Sequence, residues 1–271
     1  MRIATWNLSH AVKRSRDTRG RAWLHLASLG VDVALVQEAG QPFSAMQSSV
    51  VGPSREQRGW GTAIVSYGPS VRVLDQPVRP SWNRSLEFRI PDAARDGTLA
   101  IAMLEPTGTQ PIVVVSLYGM LRYADQSVLR AESDLLPIFD TPLGKRVVLA
   151  GDLNIHTHSN VPAERRRAGP ILGVLESFGL HDLVRAAMEA GILKQGVQEY
   201  LEPCPCGVQD CSHVRTHRHP RHLKGAMANN DYMFATEDLV GRLQSLEIMN
   251  GDTDPSWKHS DHAPMIAEIA M

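Results

Sequence analysis

The sequence predicts an α/β protein in which two packed, mainly antiparallel β-sheets are flanked by helices. Three observations carry that expectation. Short β-branched or aliphatic runs recur through both halves of the chain, separated by Gly, Pro, Asp and Asn. Between some of them lie segments with apolar residues at helical spacing. No internal repeat or linker divides the 271 residues, so a single domain spanning 1–271 is expected, carrying a Cys- and His-rich insert at about 202–224.

In chain order, Ile3 to Asn7 alternates as a strand, Ala22 to Leu29 has helical spacing closed by Gly30, and Val31 to Val36 reads as a buried strand. Gly61 to Ser66, Val71 to Leu74, Leu86 to Ile90, Leu99 to Leu104 and Ile112 to Leu117 read as further strands. Gln126 to Phe139 reads as a helix that stops at Pro142-Leu143-Gly144, and Arg146 to Ala150 as another buried strand. Gly169 to Leu193 reads as two helices broken at Gly179, and Asp231 to Ala235 and Met265 to Ile269 supply the last strands.

Composition narrows the class. With 43% hydrophobic and 21% charged residues the chain has material for a core, and it lies far from disordered or fibrous compositions. No apolar run reaches the roughly 20 residues of a membrane-crossing helix, and no leader-like segment opens the sequence, so a cytoplasmic protein without a membrane or obligate protein partner is expected. A net charge of −1 offers no global field for a polyanion, although balanced totals can conceal local patches. All three cysteines fall between Cys204 and Cys211, which argues against a secreted disulfide framework.

Nearly every strand ends in a polar residue: Asn7, Glu38, Tyr118, Asp152 with Asn154, Asp231, and Asp261 with His262. Taken singly, several suit ordinary turns, such as Gly151-Asp152-Leu153-Asn154 closing its strand. Glu38 is different, because it continues an apolar strand directly and a carboxylate there needs a compensating partner. The ordered set Thr5-Trp6-Asn7, Gln37-Glu38, Gly61-Thr62-Ala63-Ile64-Val65-Ser66, Ser116-Leu117-Tyr118, Gly151-Asp152-Leu153-Asn154, Asp231-Tyr232-Met233-Phe234 and Ser260-Asp261-His262-Ala263-Pro264 resembles the endonuclease/exonuclease/phosphatase superfamily over almost the whole chain.

That resemblance implies a four-layer α/β sandwich, two mixed, mainly antiparallel sheets flanked by helices, with the active site at one end. It implies Glu38 as first ligand of Mg²⁺ or Mn²⁺, with Asn7 completing or orienting the shell and Asp261 at a second metal position. Asp152 would deprotonate the attacking water, Asn154 would steady it, and Asp231 would hold His262 in one tautomer. Tyr118 stands where apurinic endonucleases carry a phosphate-contacting tyrosine. Two departures separate the chain from that branch: Gly119-Met120-Leu121-Arg122 replaces its usual Pro-Asn, and Ser9 replaces an acidic residue found in several nucleases.

In the insert, Cys204, Cys206, Cys211 and His213 suit a tetrahedral structural Zn²⁺, the alternative being reduced thiols in a polar loop. His217, His219 and His222 read as solvated or phosphate-facing. Arg215, Arg218 and Arg221, with Lys224, form one basic segment, Lys13 to Arg21 contains a second, and Arg165-Arg166-Arg167 is a third. Together with Arg122 they suit a polyanionic substrate. The expected function is a divalent-metal-dependent phosphodiesterase acting on DNA or RNA, the alternatives being a phosphoesterase on a smaller ester or a non-catalytic binding module.

Overall fold

The protein is described here from a computed structural model over residues 1–11, 15–40, 49–51, 59–74, 97–159, 161–196, 204–209, 211–218 and 228–271. β1 (Arg2–Asn7) pairs in parallel with β2 (Val33–Ala39) and antiparallel with β13 (Met265–Ile269). β4 (Gly61–Ser66) and β3 (Ser49–Val51) extend that sheet beyond β2, while β12 (Leu243–Ile248) and β10 (Leu193–Gln195) extend it beyond β13. Its order is β10-β12-β13-β1-β2-β4-β3. A second sheet runs in the order β5-β6-β7-β8-β11-β9, from β5 (Ser70–Val73), β6 (Leu99–Glu105), β7 (Ile112–Tyr118), β8 (Val147–Asp152), β11 (Asp231–Thr236) and β9 (Leu180–Asp182). β1–β2, β7–β8 and β10–β12 pair in parallel and the other neighbours are antiparallel.

Side-chain alternation along each strand builds the layers. Ile3, Leu35 and Ile64 of the first sheet join Val114, Val148 and Met233 of the second in one buried cluster. The alternate residues Ala4, Trp6 and Val36 cluster with Trp23 and Leu26 of α1 (Arg16–Ser28). On the far side, Val113, Val115 and Leu149 cluster with Leu135 of α2 (Ala124–Phe139) and with Ile171 and Leu175 of α3 (Pro162–Ser177). Each such side chain, fully removed from water, contributes roughly 1.5–3 kcal/mol, which commits the strands to this register because a one-residue slip would turn every apolar row to the wrong face. The result is the expected α/β sandwich of two mixed sheets between helices.

The region from 169 to 193 holds the two expected helices on either side of Gly179, with two short strands added. α3 ends at Ser177, Gly179 turns the chain at φ 77°, and Leu180–Asp182 forms the edge strand β9 against β11. α4 (Leu183–Glu189) follows, capped by Asp182 Oδ1, which accepts from Val184 N–H at 2.8 Å, and β10 comes after it. Arg165-Arg166-Arg167 lies in the first turns of α3 rather than in a loop. β12 and the short helix α5 (Glu237–Val240) were not anticipated. The expected strand Leu86 to Ile90 lies outside the described residues. Among those residues no helix is long and apolar enough to cross a membrane.

Topology brings the polar strand ends together. The parallel pair β7–β8 sets Tyr118 beside Asp152, and the antiparallel pair β8–β11 sets Asp152 beside Asp231. The two backbones around Asp152 approach so closely that only glycine fits. A Cβ at Gly151 would lie 1.8 Å from the Leu117 carbonyl oxygen, and one at Gly119 would lie 1.9 Å from that of Leu153.

Candidate active site

The expected catalytic residues arrive from both sheets. Asn7 closes β1, and its Nδ2 donates to Asp152 Oδ2 at 2.8 Å while its Oδ1 accepts from Ser9 N–H at 2.8 Å. Asn154 Nδ2 donates to the same Asp152 oxygen at 3.2 Å and to the Gly119 carbonyl at 2.8 Å, and Asn154 N–H donates to Asp152 Oδ1 at 3.0 Å. Two amides from different sheets therefore hold one buried carboxylate. Tyr118 Oη donates to Glu38 Oε1 at 2.8 Å, and Trp60 meets the Tyr118 ring edge-on at 5.6 Å between centroids.

His262 sits against Asp231 and Asp152. One ring nitrogen, Nδ1, pairs with Asp231 Oδ2 at 2.8 Å, and the other, Nε2, lies 3.8 Å from Asp152 Oδ2. With Nδ1–H donating to Asp231, Nε2 is the nitrogen presented toward Asp152. The His262 backbone is held as well, its carbonyl accepting from Trp6 Nε1–H at 2.8 Å and its N–H donating to Ser260 Oγ at 3.1 Å. Ser9 Oγ donates to Asp261, whose other oxygen lies 3.8 Å from His217 Nε2.

Charges in this cluster shift one another. Burial opposes charge on His262, but the carboxylates of Asp231, Asp152 and Asp261 outweigh it and raise its pKa to about 10. Burial raises the Asp152 pKa; Asp231 and Glu38 push in the same direction, against His262 and the Asn7 hydrogen bond. Asp261 is also penalised by burial, yet His217, His262 and Ser9 hold it well below the usual carboxylate range.

Among the described residues, the three non-glycine positions with positive φ are Ser9 (58°), Glu38 (46°) and Asn154 (51°), all in this cluster. Such conformations cost on the order of 1–3 kcal/mol each and persist where surrounding contacts enforce them. At Glu38 the enforcing feature is a bulge, since the β2–β4 register breaks between Val36 and Ala39. Beneath it, Gln37 points between the sheets, where its Nε2 donates to Ser116 Oγ and the Leu35 carbonyl, both at 3.0 Å.

His217, expected from the sequence to be solvated or phosphate-facing, joins the cluster. Its ring lies 4.6 Å from that of His262, and its backbone bridges His262. Only its place in a Cys- and His-rich stretch hinted at a role.

Arg215 corrects an expectation. It is 2% exposed, donates to the Asn250 carbonyl and Asp252 Oδ1 at 2.9 and 2.8 Å, and lies over the Trp257 ring. A guanidinium committed in this way is structural and is not presented to a phosphate. Arg218 is half-buried over the same ring, Arg122 is exposed, and Arg221 lies outside the described residues. In the insert, Cys204, Cys206, Cys211 and His213 come together, with their ligand atoms all within 4.8 Å of one another.

No protein-family model and no curated protein matches the sequence. Solved structures do. The endonuclease domain of TRAS1, a telomere-specific non-LTR retrotransposon, is 18% identical with a TM-score of 0.64, covering 100% of this chain and 98% of that one. An AP endonuclease from Archaeoglobus fulgidus is 19% identical with a TM-score of 0.61, covering 100% of both chains. D. rerio TDP2, solved with a single-strand DNA product, is 16% identical with a TM-score of 0.61, covering 100% of this chain and 99% of that one. The chain thus has the endonuclease/exonuclease/phosphatase-type fold.

Proposed function

We propose that this protein is a divalent-metal-dependent phosphodiesterase that hydrolyses nucleic acid by in-line attack of an activated water. The observation that carries the reading is the convergence at the end of the sandwich of two hydrogen-bonded groups, Asn7 and Asn154 on Asp152 and Asp231 on His262, with His262 Nε2 3.8 Å from Asp152 Oδ2. The neighbours of similar fold include proteins whose names identify them as endonucleases, and one was solved with a DNA product.

The donor chemistry fits Mg²⁺ or Mn²⁺. Glu38 and Asn7 offer carboxylate and amide oxygens, Asp261 is held well below the usual carboxylate range by its contacts with His217, His262 and Ser9, and Asp231 Oδ1 is buried without a hydrogen-bond partner among the described residues. Glu38 and Asn7 would hold the ion, with Asp261 available to a second. When bound, such an ion stabilises charge on a phosphoryl oxygen.

The chain's own residues supply the rest. Asp152, its pKa raised toward neutrality, is suited to accept a proton from water while the Asn7 and Asn154 amides fix its orientation. His262, held protonated by Asp231, directs Nε2–H toward a phosphoryl or leaving oxygen. Tyr118, anchored on Glu38, adds a hydroxyl at the same rim, and Arg122 adds a free-standing positive charge.

The test is turnover of plasmid DNA, abasic duplex, RNA and small phosphoesters by the purified protein with Mg²⁺, with Mn²⁺, and after removal of divalent ions. Hydrolysis of a polynucleotide that stops on metal removal and returns on Mg²⁺ addition is expected. Preferential turnover of a small phosphoester would move the substrate assignment, and full turnover without divalent ions would overturn the mechanism.

A further inference from the structure

We propose that Cys204, Cys206, Cys211 and His213 form a closed structural zinc site that fastens the insert to the catalytic end of the sandwich. The inference stands apart from the assigned catalysis, because none of these residues belongs to the hydrolytic cluster.

The geometry begins with a tight turn. Gly207 N–H donates to the Cys204 carbonyl at 3.2 Å, and Gly207 completes the turn at φ 72°, a conformation open to glycine. This folds Cys204 and Cys206 to the same side despite their close spacing. Val208 N–H donates to Cys206 Sγ at 3.4 Å, the kind of backbone hydrogen bond that supports a metal-bound thiolate. Cys211 and His213 then return the chain, placing all four ligand atoms within 4.8 Å of one another. Cys204 Sγ lies 3.4 Å from His213 Nδ1. Bonds of the usual Zn–S and Zn–N lengths in a tetrahedron put a sulfur and a nitrogen about 3.5 Å apart, so the pair already stands at the spacing a shared zinc requires. The three cysteines are unpaired, which leaves the thiols available as ligands.

Among the described residues of 204–213, Cys206 is the one buried apolar side chain. Cys206, Val208, Ser212 and His213 line a cleft of about 300 Å³ together with residues of α3 and α4, and Val208 is 64% exposed. A segment with so little apolar burial is ordered by a cross-link.

What the cross-link would hold is specific. Directly after His213, Val214 N–H donates to Asn229 Oδ1 at 2.9 Å. Thr216 Oγ1 accepts from the N–H groups of Asn230 and Asp231, both at 3.1 Å. The Thr216 carbonyl accepts from Ala263 N–H, and Arg218 N–H donates to the Asp261 carbonyl, both at 2.7 Å. Residues 214–218 thus form a strap across the two segments that carry Asp231 and His262, and zinc would anchor its leading end.

The experiment uses the full-length protein expressed with zinc in the medium and purified without chelator. Metal analysis should find about one zinc per chain, lost in Cys206→Ser and Cys211→Ser and kept in His262→Ala, which separates this site from the hydrolytic cluster. Cobalt-substituted wild type should show the thiolate-to-metal and d–d absorption of a tetrahedral sulfur-rich site, a readout independent of whether the variants fold. Zinc removal should accelerate amide exchange at Thr216–Arg218 while the sheets stay protected. Below about a tenth of an equivalent of zinc, zinc kept by the Cys206→Ser/Cys211→Ser variant, or a disulfide between these cysteines in freshly purified protein would each overturn the proposal. Polynucleotide turnover is not part of this test, so either proposal can fail without the other.

Discussion

The cluster around Asp152 and His262 and the cysteine insert both gather polar side chains, but different forces hold them. At the sandwich end, Tyr118, Asp152 and Asp231 are set by consecutive rungs of β-ladders, with large apolar clusters beneath them. There the ladders and the core fix the backbone, and the polar groups inherit its rigidity. In the insert, a tight turn gathers Cys204, Cys206, Cys211 and His213, and Cys206 and His213 line a cleft. The lesson is that a buried ladder can carry unfavourable conformations such as those of Glu38 and Asn154, whereas a loop without a core needs a cross-link to keep even a relaxed one.

The largest effect that would break this contrast lies at the ladder end. Asp152→Asn and His262→Ala should each reduce kcat by about a hundredfold or more, with melting temperature nearly unchanged, because the strands are held by their own hydrogen bonds and core. Single-turnover kinetics and thermal unfolding check both halves. A collapse in stability equal to the loss of activity would show that the cluster itself holds the scaffold.

Next comes Arg215, which ties the strap to the loop containing Asn250 and Asp252. Arg215→Ala leaves a buried carbonyl without its donor and strips a contact from Trp257, and should cost about 2–4 kcal/mol in denaturant unfolding. Little change in KM is expected, since this guanidinium is buried and committed to Asn250 and Asp252.

Glu132 sharpens the contrast from elsewhere in the molecule. Its side chain is buried on α2 with neither carboxylate oxygen hydrogen-bonded, and burial raises its pKa from 4.5 to about 8. Between those values the native state binds more protons than the unfolded chain, so this group lowers stability as pH rises through that window. Glu132→Gln should raise the melting temperature at pH 8.5 relative to wild type and lose most of that advantage by pH 5. A pH-independent difference would show that Glu132 is not protonated in the fold. Asp152 is buried to a similar degree but tied by two amides and set beside a histidine. Burial alone, without such partners, marks a liability and not a site.

The smallest effect concerns Arg122. If it contacts substrate phosphate, Arg122→Ala should raise KM by roughly threefold to tenfold at low salt, with kcat and stability preserved, and the difference should shrink as salt increases. No change in KM on any polynucleotide would leave Arg122 as a solvated charge.

Most strands were legible because β-branched runs bounded by Gly, Pro and Asp define β1, β4, β5, β6, β7, β8, β11 and β13 to within two residues at each end, and β2 to within three. β9, β10 and β12 were not. Leu180–Asp182 and Leu193–Gln195 are three residues long, and Leu243–Ile248 is half polar, so they are strands only because a neighbour's open edge takes them up. The residues at strand ends were visible for the same local reason. Their partners were not, since Asn7 meets Asp152 across 145 residues and His262 meets Asp231 across 31.

The sequence by itself determined which segments alternate, where polar groups interrupt them, and that three cysteines and a histidine lie within one short loop. These are properties of local spacing and side-chain chemistry. Only the tertiary structure decided that Arg215 is buried, that Glu38 sits at a bulge and accepts from Tyr118, and that the His217 ring lies tilted beside that of His262. Each depends on which surfaces meet when two sheets close on a shared core. A lone arginine, glutamate or histidine carries no local signal of the partner that will desolvate and bind it.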